Sequence, residues 1–144
     1  MTHPEQTLLQ HFIDADYVVL DDPPIVFKVG EPHQGLALLL ASFGAVNAVM
    51  LTAYNPQGQR RSDEENLDRQ MQLLDRIETA RLNYFVGRGE SSDHAWVEDS
   101  YLIFDLDRDT AMKWALAFDQ AAWLFVPADG CAELVWTSAD LGAR

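Results

Sequence analysis

Apolar positions change their spacing along the chain, and each change marks an element. Over residues 4–15, Leu8, Leu9, Phe12 and Ile13 recur at helical intervals, and Glu5 near the start complements the helix dipole, which predicts a short amphipathic helix. Tyr17-Val18-Val19-Leu20 and Ile25-Val26-Phe27-Lys28-Val29 are β-branched and aromatic runs. Asp21-Asp22-Pro23-Pro24 lies between them and forbids a continuous helix, so they read as two extended segments. Residues 30–35 hold two glycines and Pro32 and read as a loop, after which 36–43 forms a short helix stopped at Gly44.

From residue 46 the pattern is more regular. Residues 46–53 read as a buried strand and 62–80 as a long helix. Ser62 with Glu65 three residues later fits a capping box, and Leu67, Met71, Leu74 and Ile77 form the expected apolar stripe, with Asp68, Gln72, Asp75 and Glu78 toward water. A strand over 82–86 precedes a loop at 87–92. Residues 97–106 read as a strand with Asp99, Tyr101 and Ile103 on one face and Glu98, Ser100, Leu102 and Phe104 on the other. Asp107 or Asp109 caps a helix running to 119, with Ala111, Ala115 and Phe118 on one side. Strands at 122–126 and 132–136 flank the turn Pro127-Ala128-Asp129-Gly130 and predict a hairpin. The tail 137–144 carries no clear pattern.

Taken in order, 46–126 reads β-α-β-β-α-β, the split arrangement of ferredoxin-like folds, in which two helices cover one face of an antiparallel sheet. The expected class is therefore α+β. A single domain spans 1–144, with 1–45 an extension that adds one helix and two strands to a core at 46–136. No internal repeat, low-complexity run or long linker divides it.

Composition narrows the setting. A chain of 144 residues with 48% hydrophobic and 23% charged residues is long enough for one core and unlike a disordered chain. Ten basic against 23 acidic residues give a formal charge of −13, which argues against binding a nucleic-acid backbone and fits either plain solubility or an acidic face that docks on a basic partner. The single cysteine, Cys131, excludes an intramolecular disulfide, and no cation close in sequence activates its thiol. The amino terminus lacks the basic and apolar regions of a signal peptide and the apolar runs are too short to span a bilayer, so the expectation is a cytoplasmic protein away from membranes. His3, His11, His33 and His94 are scattered without metal-ligand spacing, and Gly87-Arg88-Gly89 lacks the third glycine and the lysine–serine/threonine ending of a phosphate loop. No metal or cofactor is expected.

The densest run of polar side chains lies where the 46–53 strand meets the 62–80 helix: Thr52-Ala53-Tyr54-Asn55-Pro56, then Gln59, Arg60, Arg61 and Ser62 to Asn66. Tyr54 and Asn55 stand at a strand end facing a helix start, a place that favours anions, although Asp63, Glu64 and Glu65 already fill the first turn and oppose one. Asn55 alternatively closes a local turn through its own side chain. Asn66 and Arg69 share one side of the helix, from which Arg69 is placed to pair with Glu98. Glu98 and Ser100 alternate onto one strand face, where a desolvated Glu98 is the candidate acid or base. Gln120, at a helix end, is placed to cap backbone carbonyls.

These spaced motifs, together with the Gly87-x-Gly89, Glu98-x-Ser100 and Phe118-x-Gln120-x-Ala122 patterns, resemble the bacterial family known as domain of unknown function 3293. The resemblance implies no activity, substrate or cofactor. It does imply that Tyr54, Asn55, Pro56, Asn66, Arg69, Glu98, Ser100 and Gln120 form one constellation. Three functions follow as alternatives: a small binding or protein-interaction domain whose polar patch contacts an unknown protein or small polar ligand; a hydrolase or transferase with Glu98 as acid/base and Arg69 orienting an anionic substrate; or an acidic inhibitor or immunity-type protein that masks a basic surface. Oligomeric state is left open.

Overall fold

The computed structural model describes residues 4–138, with backbone alone considered for 4–7. His3 and most of the unassigned tail lie outside the described residues. The described chain forms helix α1 (Pro4–Asp14), strands β1 (Asp16–Val19) and β2 (Ile25–Phe27), helix α2 (Gln34–Ser42), strand β3 (Asn47–Leu51), a single 3-10 turn (Pro56–Gly58), helix α3 (Asp63–Thr79), strands β4 (Tyr84–Glu90) and β5 (Val97–Phe104), helix α4 (Arg108–Ala117), and strands β6 (Ala122–Pro127) and β7 (Glu133–Trp136). Among the described residues no helix is long and apolar enough to cross a membrane.

The strands form one sheet in the order β2-β1-β4-β5-β3-β6-β7, every neighbouring pair antiparallel. β3 lies inside the sheet between β5 and β6, with Met50 opposite Leu102 on β5 and Leu124 on β6. Pairing on both edges and packing on both faces explain why Asn47 to Leu51 are all buried and why their sequence shows no polar alternation.

Alternation along β5 divides the core as its sequence indicates. Tyr101 and Ile103 join Val49, Leu51 and Trp123 beneath α3 and α4, through Leu73, Ile77, Ala111, Ala115 and Phe118. Leu102 and Phe104 face the other way with Met50, Leu124 and Val126, and meet Leu36, Leu39 and Leu40 of α2. Helices therefore cover both faces of the sheet, not one as expected. The leucine run of α2 supplies the second apolar surface that the back of the sheet needs.

Two further expectations change. On α3 the buried residues are Asn66, Gln70, Leu73 and Ile77, while Leu67 and Met71, half of the expected stripe, are 58% and 61% exposed. The first half of α3 lies over the end of β3, where backbone groups require polar partners, and the helix is rotated to provide them. Second, β4 continues through Gly87-Arg88-Gly89 in place of a loop. Gly87 pairs with Val19, and a Cβ there would lie 2.5 Å from the Val18 carbonyl oxygen, so only glycine lets β1 approach and extend the sheet. Of the two caps expected for α4 it is Asp107 that serves, accepting the Thr110 N–H at 2.8 Å. Ser62 caps α3 as expected by accepting the Glu65 N–H, and β6 pairs with β7 as the expected hairpin.

Candidate functional site

The chain leaves β3 at Leu51 and must reach the start of α3 across a short connection that carries unpaired backbone groups. Asn55, with φ 44° and ψ 69°, adopts the left-handed conformation that asparagine tolerates better than most residues. Its side chain does not close the expected local turn. Instead the Asn55 N–H donates to Asn66 Oδ1 at 2.9 Å, while Asn66 Nδ2 donates back to Asn55 Oδ1 at 2.9 Å, so the two amides lock loop to helix reciprocally. Asn55 Oδ1 also accepts the Arg61 N–H at 2.8 Å. Both asparagines are buried.

Arg69 and Gln70 complete this scaffold. The Arg69 Nε donates to the Ala53 carbonyl at 2.9 Å, and a terminal nitrogen of the same guanidinium donates to the Phe118 carbonyl at the end of α4. Gln70 Oε1 accepts the Ala53 N–H at 2.9 Å. The guanidinium thus ties the end of β3 to the end of α4, and the expected pairing of Arg69 with Glu98 does not form. The Ala53 carbonyl has no other side-chain donor among the described residues, and the planar fork of arginine serves two acceptors at once. Gln120 works on the same principle and as its sequence position indicated: Nε2 donates to the Tyr54 carbonyl at 2.9 Å and the Phe118 carbonyl at 3.2 Å.

Glu98 is where this scaffold meets open space. Asn55 Nδ2 donates to Glu98 Oε2 at 2.9 Å, and Glu98, Asn55, Gln120 and Thr52 line a cavity of about 250 Å³. Leu8, His11 and Phe12 of α1 also line it, as do Trp96 and the small residues Ala121 and Ala122. The rings of His11 and Trp96 meet edge to face at 5.5 Å, and Phe12 meets Trp136 in the same manner at 5.7 Å. The Tyr17 hydroxyl donates to the Phe12 carbonyl and ties α1 to the sheet. A smaller recess adjoins the cavity and is lined by Ser100 and Glu90 together with Glu98 and His11. Among the described residues no group of three or more histidine, cysteine or acidic side chains is arranged to hold a metal ion.

Burial pushes the Glu98 carboxyl above its usual range. The Asn55 hydrogen bond, the nearby Trp96 indole N–H and the positive charge of Arg60 oppose that shift without overcoming it. The indole N–H is buried and makes no well-formed hydrogen bond, although it lies near enough to favour the ionised carboxylate. Burial lowers the His11 imidazole, which favours its neutral form. Arg60 stands over the Trp96 ring at 4.7 Å and donates to the Ala95 carbonyl; it lines a neighbouring groove, not the cavity.

The residues singled out from sequence therefore divide. Asn55, Glu98 and Gln120 converge on the cavity, and Ser100 lies in its side recess with its hydroxyl directed to the Glu98 carbonyl at 3.5 Å. Asn66 and Arg69 hold the scaffold behind it. Tyr54 turns away: its hydroxyl donates to Asp99 at 2.9 Å, and burial, with Asp99 beside it, pushes the phenol up to about 12. Sequence reasoning missed Thr52, His11 and Trp96 as wall residues. It also missed Gln70, for which a signal existed: Asn66, Gln70, Leu73 and Ile77 share one helical face, and polar residues in line with buried apolar ones mark a helix end that supports backbone.

The same stretch carries a likeness at the level of families. The family model described as protein of unknown function (DUF3293) matches residues 51–123, which include Thr52, Asn55, Trp96, Glu98 and Gln120 of the cavity wall and leave out α1. No curated protein and no solved structure matches the chain.

Proposed function

The chain belongs to the DUF3293 family, and from that premise we propose that it is a small binding domain whose ligand occupies the cavity beneath α1, against Glu98. One observation carries this reading. Glu98 Oε2 is fixed by Asn55, whereas Glu98 Oε1 accepts no hydrogen bond among the described residues. A carboxylate held in place on one side and open on the other, in a mostly apolar recess, has the form of a small-molecule site. The volume is just below the roughly 300–1,000 Å³ of pockets for drug-sized ligands, which suits a smaller molecule. Asn66 and Arg69 act at one remove, by holding Asn55 and the α4 terminus where the wall needs them.

The central strand order β4-β5-β3-β6, with α3 following β3 and α4 following β5, supports reading the core as ferredoxin-like, with β2, β1 and β7 added at the edges. In this reading the amino-terminal extension supplies the roof of the site. A catalytic role for Glu98 is favoured by one observation, the upward shift of its carboxyl, the direction that suits a general acid or base at neutral pH. Arg69 has no part in that version, since its guanidinium turns to the Ala53 and Phe118 carbonyls and does not line the cavity.

The test is a fragment screen by NMR with cationic, neutral and anionic members. Binding in the cavity is expected to shift the Thr52 and Ala122 amides and the Trp96 indole signal, and Leu8→Trp, which fills the space, is expected to abolish those shifts. Silence of these signals toward every fragment class would overturn the proposal.

A further inference from the structure

The hydrogen-bond inventory of the cavity wall restricts what it can hold. Gln120 has both amide hydrogens engaged by the Tyr54 and Phe118 carbonyls, which fixes the amide and leaves its Oε1 without a partner among the described residues. Asn55 donates to Glu98, and its Oδ1 already accepts two N–H groups. The Thr52 hydroxyl donates to the Asp99 carbonyl at 2.6 Å and accepts the Tyr54 N–H at 3.0 Å. The wall groups left open are therefore acceptors, Glu98 Oε1 and Gln120 Oε1, beside the imidazole of His11, since the indole N–H of Trp96 is buried near Glu98.

No cation of the described chain lines this cavity to neutralise Glu98. Arg60 lies in the neighbouring groove, Arg69 is bound to two carbonyls, and Arg88 pairs with Glu90 at 2.9 Å. A carboxylate ligand would meet like charge with no cation of the described chain in the wall to offset it. An alcohol has one hydrogen to donate, whereas an ammonium group has several hydrogens, no acceptor and the charge that a half-buried carboxylate lacks. Leu8, Phe12, Ala121 and Ala122 offer apolar surface for a carbon skeleton, and a formal charge of −13 favours the approach of cations. Resting on the reading of this cavity as a ligand site, we infer that its ligand is a small organic amine, bound in its ammonium form with the charge on Glu98 and the skeleton against α1.

The experiment compares three probes of one skeleton, isopentylamine, isopentyl alcohol and isovalerate, by NMR titration of the full chain. The amine is expected to bind about tenfold or more tightly than the alcohol, as suits a charge-assisted hydrogen bond, and isovalerate weakest of all. Glu98→Gln keeps an acceptor for Asn55 and is expected to remove the advantage of the amine over the alcohol. The ranking on the unaltered protein decides the matter even where that variant folds poorly. Equal or tighter binding of alcohol or isovalerate at Thr52, Trp96 and Ala122 would overturn the amine assignment and leave the cavity reading standing, as would failure of all three probes when other fragments bind there. Amine binding that survives Glu98→Gln unchanged also overturns it. Silence of those signals toward these probes and the whole fragment set overturns both.

Discussion

Two polar regions meet at Asn55, and they differ in whether their hydrogen-bonding groups are already engaged. On the α3 side, Asn66, Arg69 and the Gln70 Oε1 are engaged with Asn55, Ala53 and Phe118, and of their buried side-chain atoms only Gln70 Nε2 lacks a partner among the described residues, so the densest polar cluster in the chain is mostly internal support. On the α1 side the wall is largely apolar, yet Glu98 and Gln120 each keep an acceptor open. Polar density marks the first region, and unsatisfied geometry marks the second. A site is recognised by what its side chains have left to offer, because a group whose partners are fixed in the fold has little to gain from a ligand.

The comparison breaks most visibly at Asn66. Asn66→Leu removes the reciprocal amide pair and leaves the Asn55 N–H and Oδ1 short of partners, an expected loss of about 3 kcal/mol in urea unfolding with the m-value unchanged. Arg69→Met comes next, at about 2 kcal/mol, because the Ala53 and Phe118 carbonyls both lose a charged donor; Arg69→Lys is expected to restore only part of this, since an ammonium lacks the planar fork. If either substitution proved neutral for stability, the support role of the α3 side would fail.

Glu98→Gln sharpens the other half of the contrast, because its expected effect has the opposite sign. The folded carboxyl is raised above the ordinary value of 4.5, so the native state holds the proton more tightly than the unfolded chain does. The contribution of Glu98 to stability is then complete below that ordinary value and is lost as pH rises through the raised one. Paired urea midpoints from about pH 4 to pH 7 are expected to move in favour of the glutamine variant as pH rises. A gap that widens in favour of the wild type would contradict the assignment. The smallest effect belongs to Leu67→Ala and Met71→Ala, each expected within about 0.5 kcal/mol of the wild type, since both side chains are exposed. A larger loss would return them to the core face on which their sequence spacing had placed them.

The parts legible in the sequence are those set by neighbours along the chain. Alternation placed Tyr101 and Ile103 opposite Leu102 and Phe104, Ser62 announced the start of α3, and the Pro127 to Gly130 turn announced a hairpin. The matched stretch 51–123 was visible in the same motifs. Asn55, Glu98 and Gln120 were recognised as candidates because each stood at an element end or on an alternating strand face. Nothing local distinguished Asn66 and Arg69, which support the wall, from residues that form it, and nothing local linked His11 to Trp96.

By itself, then, the sequence determined the strands and helices of the core, their order and the family, because periodicity, caps and turns act over a few residues. Tertiary structure alone decided that α3 buries Asn66 and Gln70 in place of Leu67 and Met71, that Arg69 turns to two carbonyls and not to Glu98, and that α1 closes a cavity over an open carboxylate oxygen. Each of these depends on which backbone groups lack partners once distant segments have packed. A buried donor or acceptor is costly to leave unpaired, so the nearest polar side chain in space takes it, wherever it stands in the chain.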